Sequence, residues 1–269
     1  MSLLAEERKQ YILDWLEREG KAMVVGLAAQ LEVSTETVRR DMAALEKEGK
    51  LKRVYGGAVK PTFHNREAPY EQRQKVHQAG KEAIGRAAAE LVQDGSTIAI
   101  DAGTTPLELA KAIRGKMRLT VLTNSLSVAA CLLELAGQER FSGKVILLGG
   151  ELKPEQQAVN GPICEQMARQ FRVDQAFLSI GGISLTHGVT DFDPSEASMS
   201  RTFAEIAQEV IVLADHSKLG ISTFAYIMPL EKVDVIVTDA PCPADWTSEL
   251  GTKHVQWVRA MDEEGDNGC

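Results

Sequence analysis

Cysteine is scarce and scattered. The 269 residues hold four, Cys131, Cys164, Cys242 and Cys269, and no two form a Cys-x-x-Cys pair. This excludes a disulfide framework and a cysteine zinc site, and leaves isolated reduced thiols as the expectation. Long apolar runs are missing as well. No stretch approaches the roughly 20 residues that a membrane-spanning helix needs. Met1 to Arg8 lack an apolar leader, so a cytoplasmic location and no membrane partner are expected. Of the five histidines, His187, His216 and His254 share no ligand-like spacing, so no metal is expected. No cofactor is expected either.

Positive charge is also in deficit. The net charge is −8, which read globally argues against a polyanionic partner. Its distribution changes that reading. Met1 to Lys60 carry 11 of the 30 Lys and Arg against 10 of the 38 Asp and Glu, so the acidity belongs to the remainder. Lys50, Lys52, Arg53 and Lys60 fall in a stretch with no acid.

What is present is ordinary soluble composition, 44% hydrophobic and 25% charged, and one dense stretch, Val33 to Met42. Ser34 suits a helix N-cap, because its hydroxyl can accept from a first-turn N–H. Val38, Met42 and Leu45 recur at i, i+4 and i+7 and predict a buried stripe. Thr35, Thr37, Arg39 and Arg40 lie off that stripe, where hydroxyls and guanidinium groups can meet base edges and phosphates. Gly49 is a plausible stop. Upstream, Glu6 to Glu19 predicts a helix with Ile12, Leu13 and Leu16 on one face, ended by Gly20. Val24 to Leu31 predicts a second helix. Downstream, Leu51 to Val59 predicts a hairpin around Gly56-Gly57, a wing that places Lys52 and Arg53 beside the DNA backbone. Each piece alone is more simply a solvated helix or surface hairpin. In this order they make a winged helix-turn-helix.

Arg8 followed by Ser34, Thr37, Val38, Arg39, Arg40, Asp41 and Met42 resembles the signature of the DeoR family of bacterial transcriptional regulators. The resemblance implies DNA contact by this helix, from Ser34, Thr35, Thr37, Arg39 and Arg40. Asp41 would repel phosphate, so a structural role is expected for it: pairing with Arg39, Arg40 or a neighbouring helix.

Pro61 to Gln78 is polar, with little periodicity, and reads as a linker. Lys81 to Val92 then predicts a helix, with Ile84, Ala87, Ala88 and Leu91 spaced for burial. Beyond it, apolar strands are predicted at Thr97–Ile100, Leu119–Leu122, Lys144–Leu148, Gln175–Ile180, Glu209–Leu213, Val233–Val237 and His254–Val258. Helices are predicted at Pro106–Ile113, Leu126–Leu135, Pro162–Phe171 and Glu196–Ala207. This alternation argues for a buried, mostly parallel, Rossmann-like sheet, with ligands beyond the C-terminal strand ends.

Those ends carry Asp101, Gly103, Thr104 and Thr105, then Thr123, Asn124 and Ser125, then Gly150, then Gly181 and Gly182. The first group, with Pro106 at a helix start, forms an anion cradle. Small and polar residues are common in α/β turns, but four such ends together favour a small phosphorylated ligand. Lys218 could neutralise its phosphate, and Asp191 or Glu196 could accept from sugar hydroxyls.

This half also resembles the DeoR family, through Asp101-Ala102-Gly103-Thr104-Thr105, Thr123-Asn124-Ser125, Gly149-Gly150, Asp215-His216-Ser217-Lys218 and Thr238-Asp239. The resemblance implies a sensor domain similar to ribose-5-phosphate isomerase and CoA-transferase folds, responsive to phosphorylated sugars or polyols.

The expectation is therefore an α+β winged helix-turn-helix domain over 1–60, a linker over 61–78, an α/β sensor domain over 79–260 and a tail over 261–269. It would act as a repressor of a sugar or polyol operon, bind double-stranded operator DNA as a homodimer or higher oligomer, and lack enzymatic activity. The rival is a sugar-phosphate isomerase or deaminase with an attached DNA reader, using Asp191, Glu196, His216 and Lys218 for acid/base chemistry.

Overall fold

The computed structural model describes residues 5–19, 21–47, 50–54, 56–59 and 67–261. Gly20, Gly49, Lys60 and the segments 61–66 and 262–269, on which sequence expectations fell, lie outside these residues. The chain divides into two compact units, residues 1–65 and 66–269.

The first unit runs α1 (Ala5–Glu19), β1 (Lys21–Met23), α2 (Val24–Gln30), α3 (Thr35–Lys47), β2 (Lys52–Val54) and β3 (Gly57–Val59). Three stripes meet in one core: Ile12 and Leu16 from α1, Leu27 and Leu31 from α2 and its end, and Val38, Met42 and Leu45 from α3. Glu32 turns the chain between α2 and α3 with φ +52. The hairpin β2–β3 forms as expected. The sequence reading missed β1, which pairs with β3 and makes a three-stranded antiparallel sheet in the order β1-β3-β2.

The second unit runs α4 (Tyr70–Lys75), α5 (Gln78–Leu91), β4 (Thr97–Ile100), α6 (Thr104–Ala112), β5 (Leu119–Thr123), α7 (Leu126–Gly137), β6 (Gly143–Leu147), β7 (Glu151–Lys153), β8 (Ala158–Asn160), α8 (Pro162–Ala168), β9 (Val173–Ser179), β10 (Gly182–Ser184), β11 (Gly188–Asp191), α9 (Pro194–Ile206), β12 (Ala207–Leu213), β13 (Ala225–Met228), β14 (Val235–Thr238), α10 (Ala244–Thr252) and β15 (Gln256–Arg259). All seven strands anticipated in this half join one parallel sheet in the order β15-β14-β12-β9-β4-β5-β6.

Alternation along each strand feeds two cores. Ile98, Ile100, Phe177, Ile211 and Leu213 face the layer of α5, α6 and α7. Ala99, Ala176, Leu178 and Val212 face α8, α9 and α10. Strands buried on both faces read as continuous apolar runs, which is why the five inner strands were legible; the edge strands β6 and β15 are largely exposed.

The strand order fixes where a ligand can sit. From β4 the chain steps outward through β5 to β6. It then returns to the other side of β4 at β9 and steps away through β12, β14 and β15. The reversal lies between β4 and β9, and a crevice opens at such a switch point.

The linker expectation needs correction for residues 67–78. Tyr70–Lys75 is helical and Tyr70 is buried, with α4 seated against α6. Six residues make less than two turns, too few for an apolar period to show, and one aromatic anchor holds them. Helix α6 also begins two residues earlier than expected, at Thr104. Pro106 is tolerated there because first-turn N–H groups have no intrahelical acceptor to lose.

Candidate DNA-binding and effector sites

In the first unit, Ser34 caps α3. Its Oγ accepts from Thr37 N at 3.1 Å and lies 2.9 Å from Thr37 Oγ1. Arg39 and Arg40 are exposed on the side of α3 away from its buried stripe. Glu36 sits 3.6 Å from Arg39 Nη1, a loose surface pair of little energetic weight. Thr35 and Thr37 are half-buried at the helix start. Lys52 and Arg53 are exposed on β2, and Glu46 steadies that strand by accepting from Arg53 N at 2.8 Å. Asp41 points away from this surface. It is buried and accepts from Arg8 on α1, with Nε–Oδ2 at 2.8 Å and Nη2–Oδ1 at 3.3 Å.

In the second unit, a cleft of about 120 Å³ lies over the C-terminal ends of β12, β9 and β4. Its lining includes Thr104 and Thr105 after β4, Ser179 at the end of β9, and Asp215, Ser217 and Lys218 after β12. Gly103 makes the floor possible. A Cβ there would fall 2.3 Å from Ser179 Oγ, so only glycine lets the start of α6 approach β9 this closely. Gly103 supplies no side-chain cap to the first turn of α6.

Three cations converge on the cleft: Arg73 from α4, Lys81 from α5, and Lys218. Arg73 Nη1 lies 3.0 Å from Glu67 Oε1, its Nε donates to Ala68 O at 3.0 Å, and its Nη2 donates to Gln156 Oε1. Lys81 is buried and donates to Arg73 O. Burial holds the Lys81 pKa below the ordinary lysine range. Lys218 Nζ sits over the Phe192 ring, 5.3 Å from its centroid, and 3.8 Å from Glu67 Oε1. The sequence reading missed Glu67, Arg73 and Lys81.

Outside the cleft lining stands a group of carboxyls. Asp101 is buried and takes a 2.6 Å hydrogen bond from Ser200 Oγ on α9 and a 2.8 Å bond from Ala102 N. Burial nonetheless pushes its pKa up to about 7. Asp191 accepts from Phe192 N at 2.6 Å, and burial together with the Glu67 charge pushes it up. Burial and the charges of Asp191 and Glu67 push Glu196 up as well. Asp193 caps α9, accepting from Ser195 N and Glu196 N at 2.7 and 3.2 Å.

The remaining expected residues bond mostly within the fold, although Asn124 Oδ1 is buried with no hydrogen-bond partner. Thr123 Oγ1 donates to Ile100 O and accepts from Ser125 N. Asn124 donates to Val159 O and Asn160 Oδ1, and Ser125 caps α7. Gly150 packs near Asn160 and Cys164. Gly181 and Gly182 let the small sheet β10-β11-β13 close against Asp191 and Ile221. None of these lines the cleft. His216 Nδ1 bonds Asp239 Oδ2 at 2.8 Å and stacks edge-on with His77. Among the described residues no group of three or more His, Cys, Asp or Glu is placed to hold a metal ion, and no helix is long and apolar enough to cross a membrane.

Two family models match this chain: the DeoR-like helix-turn-helix domain over residues 8–62 and the DeoR C terminal sensor domain over residues 76–240. The HTH-type transcriptional repressor GlcR of Bacillus subtilis is 36% identical, with 97% of this chain and 98% of that protein covered. A putative aga operon transcriptional repressor of Escherichia coli O157:H7 is 34% identical over 89% and 88%. The glycerol-3-phosphate regulon repressor of E. coli K12 is 32% identical over 93% and 97%. Among solved structures, a ribose 5-phosphate isomerase from Methanocaldococcus jannaschii overlaps 52% of this chain and 53% of its own at 16% identity and a TM-score of 0.38. On the family models and these repressors, the chain belongs to the DeoR family of transcriptional regulators.

Proposed function

We propose that this chain represses a sugar or polyol operon by binding duplex operator DNA through α3 and its wing, and that a phosphorylated sugar or polyol in the cleft of the second unit controls that binding. Thr35, Thr37, Arg39 and Arg40 meet base edges and phosphates in the major groove, and Lys52 and Arg53 meet the flanking backbone. Ser34 holds the helix start. A homodimer reading two half-sites is the geometric default. The repressor names of the relatives, two of them tied to the aga operon and to glycerol-3-phosphate, favour this reading over an enzyme.

The observation that carries the effector site is the convergence of Arg73, Lys81 and Lys218 on one point beside Thr104 and Thr105, at the switch of the parallel sheet. A phosphate monoester carries close to two negative charges and three strong acceptor oxygens, which suits a planar guanidinium fork plus two ammonium groups. Asp101, Asp191 and Glu196 do not line the cleft itself and are proposed as acceptors for hydroxyls of a ligand that extends beyond it. Control of DNA binding requires that the ligand bind the DNA-competent and incompetent states with different affinity.

Thermal unfolding of the full chain against phosphorylated sugars and polyols, each paired with its unphosphorylated parent, tests this reading. A rise with one phosphate ester and not with its parent supports it, because a ligand specific for the native state must stabilise it. A flat response across the panel removes the effector site.

A further inference from the structure

The cationic cleft already holds an anion, and it comes from the chain itself. The Glu67 carboxylate lies 3.0 Å from Arg73 Nη1 and 3.8 Å from Lys218 Nζ, and Gln156 Nε2 reaches its other oxygen at 3.5 Å. The Glu67 side chain is only 9% exposed, though no regular element begins until Tyr70. Its other neighbours include the carboxyls of Asp191 and Glu196. A carboxylate beside two further carboxyls gains nothing from that side. What holds it there is the demand of Arg73 and Lys218 for a counter-charge. Glu67 is also the second residue of the second unit, so its position fixes where the connection from the first unit ends.

We propose that Glu67 is an internal counter-ion for this cleft, and that an incoming phosphate takes Arg73 and Lys218 from it and so releases the segment through which the chain enters the second unit. The proposal rests on the effector site argued above. A phosphate within hydrogen-bond reach of Arg73 Nη1 would share the position of the Glu67 Oε1 atom, and two anions cannot share it. Phosphate is the stronger occupant because it offers more charge and more acceptors to the same donors. No covalent step is involved. The exchange swaps one ion pair for another and changes which chain atoms are held.

Isothermal titration of the full chain and of Glu67→Gln with inorganic phosphate, glycerol-3-phosphate and glucosamine-6-phosphate tests it, with glycerol as the uncharged control. Glutamine keeps the size and loses the charge. The variant is expected to bind the phosphates at least about tenfold more tightly, the scale of one charge-assisted hydrogen bond no longer contested. A second readout uses the wild-type chain alone. Cleavage after Glu67 by a glutamate-specific protease should speed up at saturating phosphate ester. Wild-type binding with equal or weaker binding by E67Q, or a Glu67 site that stays protected at saturation, overturns the counter-ion while leaving the effector site standing. Absence of phosphate binding by both proteins overturns both.

Discussion

Arg8 on α1 and Asp41 on α3 form a two-pronged ion pair, Nε–Oδ2 at 2.8 Å, with both side chains less than one-tenth exposed. It ties the first helix of the DNA-binding unit to the helix that carries Arg39 and Arg40. Breaking the pair removes two charge-assisted hydrogen bonds from the interior, so Asp41→Ala and Arg8→Ala are each expected to destabilise the first unit by about 3 kcal/mol. Calorimetry should show the loss in one transition and leave that of the second unit in place. Replacing both with apolar residues, Arg8→Met with Asp41→Leu, should recover much of it. A double variant no more stable than either single variant would mean that the pair does more than neutralise itself.

Arg39 and Arg40 answer to a different test. Both are exposed, so alanine at either should leave the unfolding midpoint unchanged and act on DNA alone. Each loss is expected to weaken operator binding by about 1–3 kcal/mol if the side chain reads a base, and to reduce the salt slope by about one if it holds a phosphate. Lys52→Ala and Arg53→Ala on the wing belong to the second class. Anisotropy titrations between roughly 50 and 200 mM salt separate the two. If both arginine variants bind like the wild type, α3 is not the reading helix.

The sequence made much of this legible, and the failures have physical causes. The stripe of Val38, Met42 and Leu45 was visible because periodicity reports burial, and the five inner strands of the large sheet because burial on both faces makes a run apolar throughout. Strands β1, β7, β8 and β10 span only three residues, too short to show a period. Arg73 and Glu67 sit in a polar stretch whose order depends on Tyr70 packing and on partners as distant in sequence as Gln156 and Lys218. One signal was available. Lys81 shares a helix face with Ile84 and Ala88, at i, i+3 and i+7, and a lysine on a buried face asks for a partner. Conversely, Thr123 and Ser125 looked like ligand contacts because turns that satisfy themselves use the same residue types.

The raised pKa of Asp101 makes stability depend on pH in a set direction. Burial lifts it from 3.8 to about 7, so between those values the folded chain holds more protons than the unfolded chain. Stability must then fall as pH rises through this window. Asp191 and Glu196, also raised, act in the same sense. The midpoint of the second unit is expected to drop between pH 5 and pH 8. Asp101→Asn keeps an acceptor for Ser200 and removes the charge, so it should flatten part of the slope and raise stability at pH 8. A steeper slope in the variant would place the effect elsewhere.

Gly103 ties the switch point of the sheet to the proposed phosphate cradle. A Cβ there would meet Ser179 Oγ at 2.3 Å, Ser179 Cβ at 2.7 Å and Pro106 Cδ at 3.0 Å. None of these is the far end of a flexible chain, so the start of α6 must back away from β9. Gly103→Ala is expected to cost about 1–3 kcal/mol, the scale of overpacking. It should also weaken phosphate binding, because Thr104 and Thr105 move with the helix start. Adding Ser179→Gly removes the two closest atoms and should restore part of the binding. Gly26 in α2 is the control, since nothing lies within 4 Å of its added Cβ. Gly26→Ala should stabilise the first unit by up to about 1 kcal/mol through helix propensity alone. If Gly103→Ala proved as benign as Gly26→Ala in calorimetry and phosphate titration, the close approach of α6 to β9 would not be what builds the cleft.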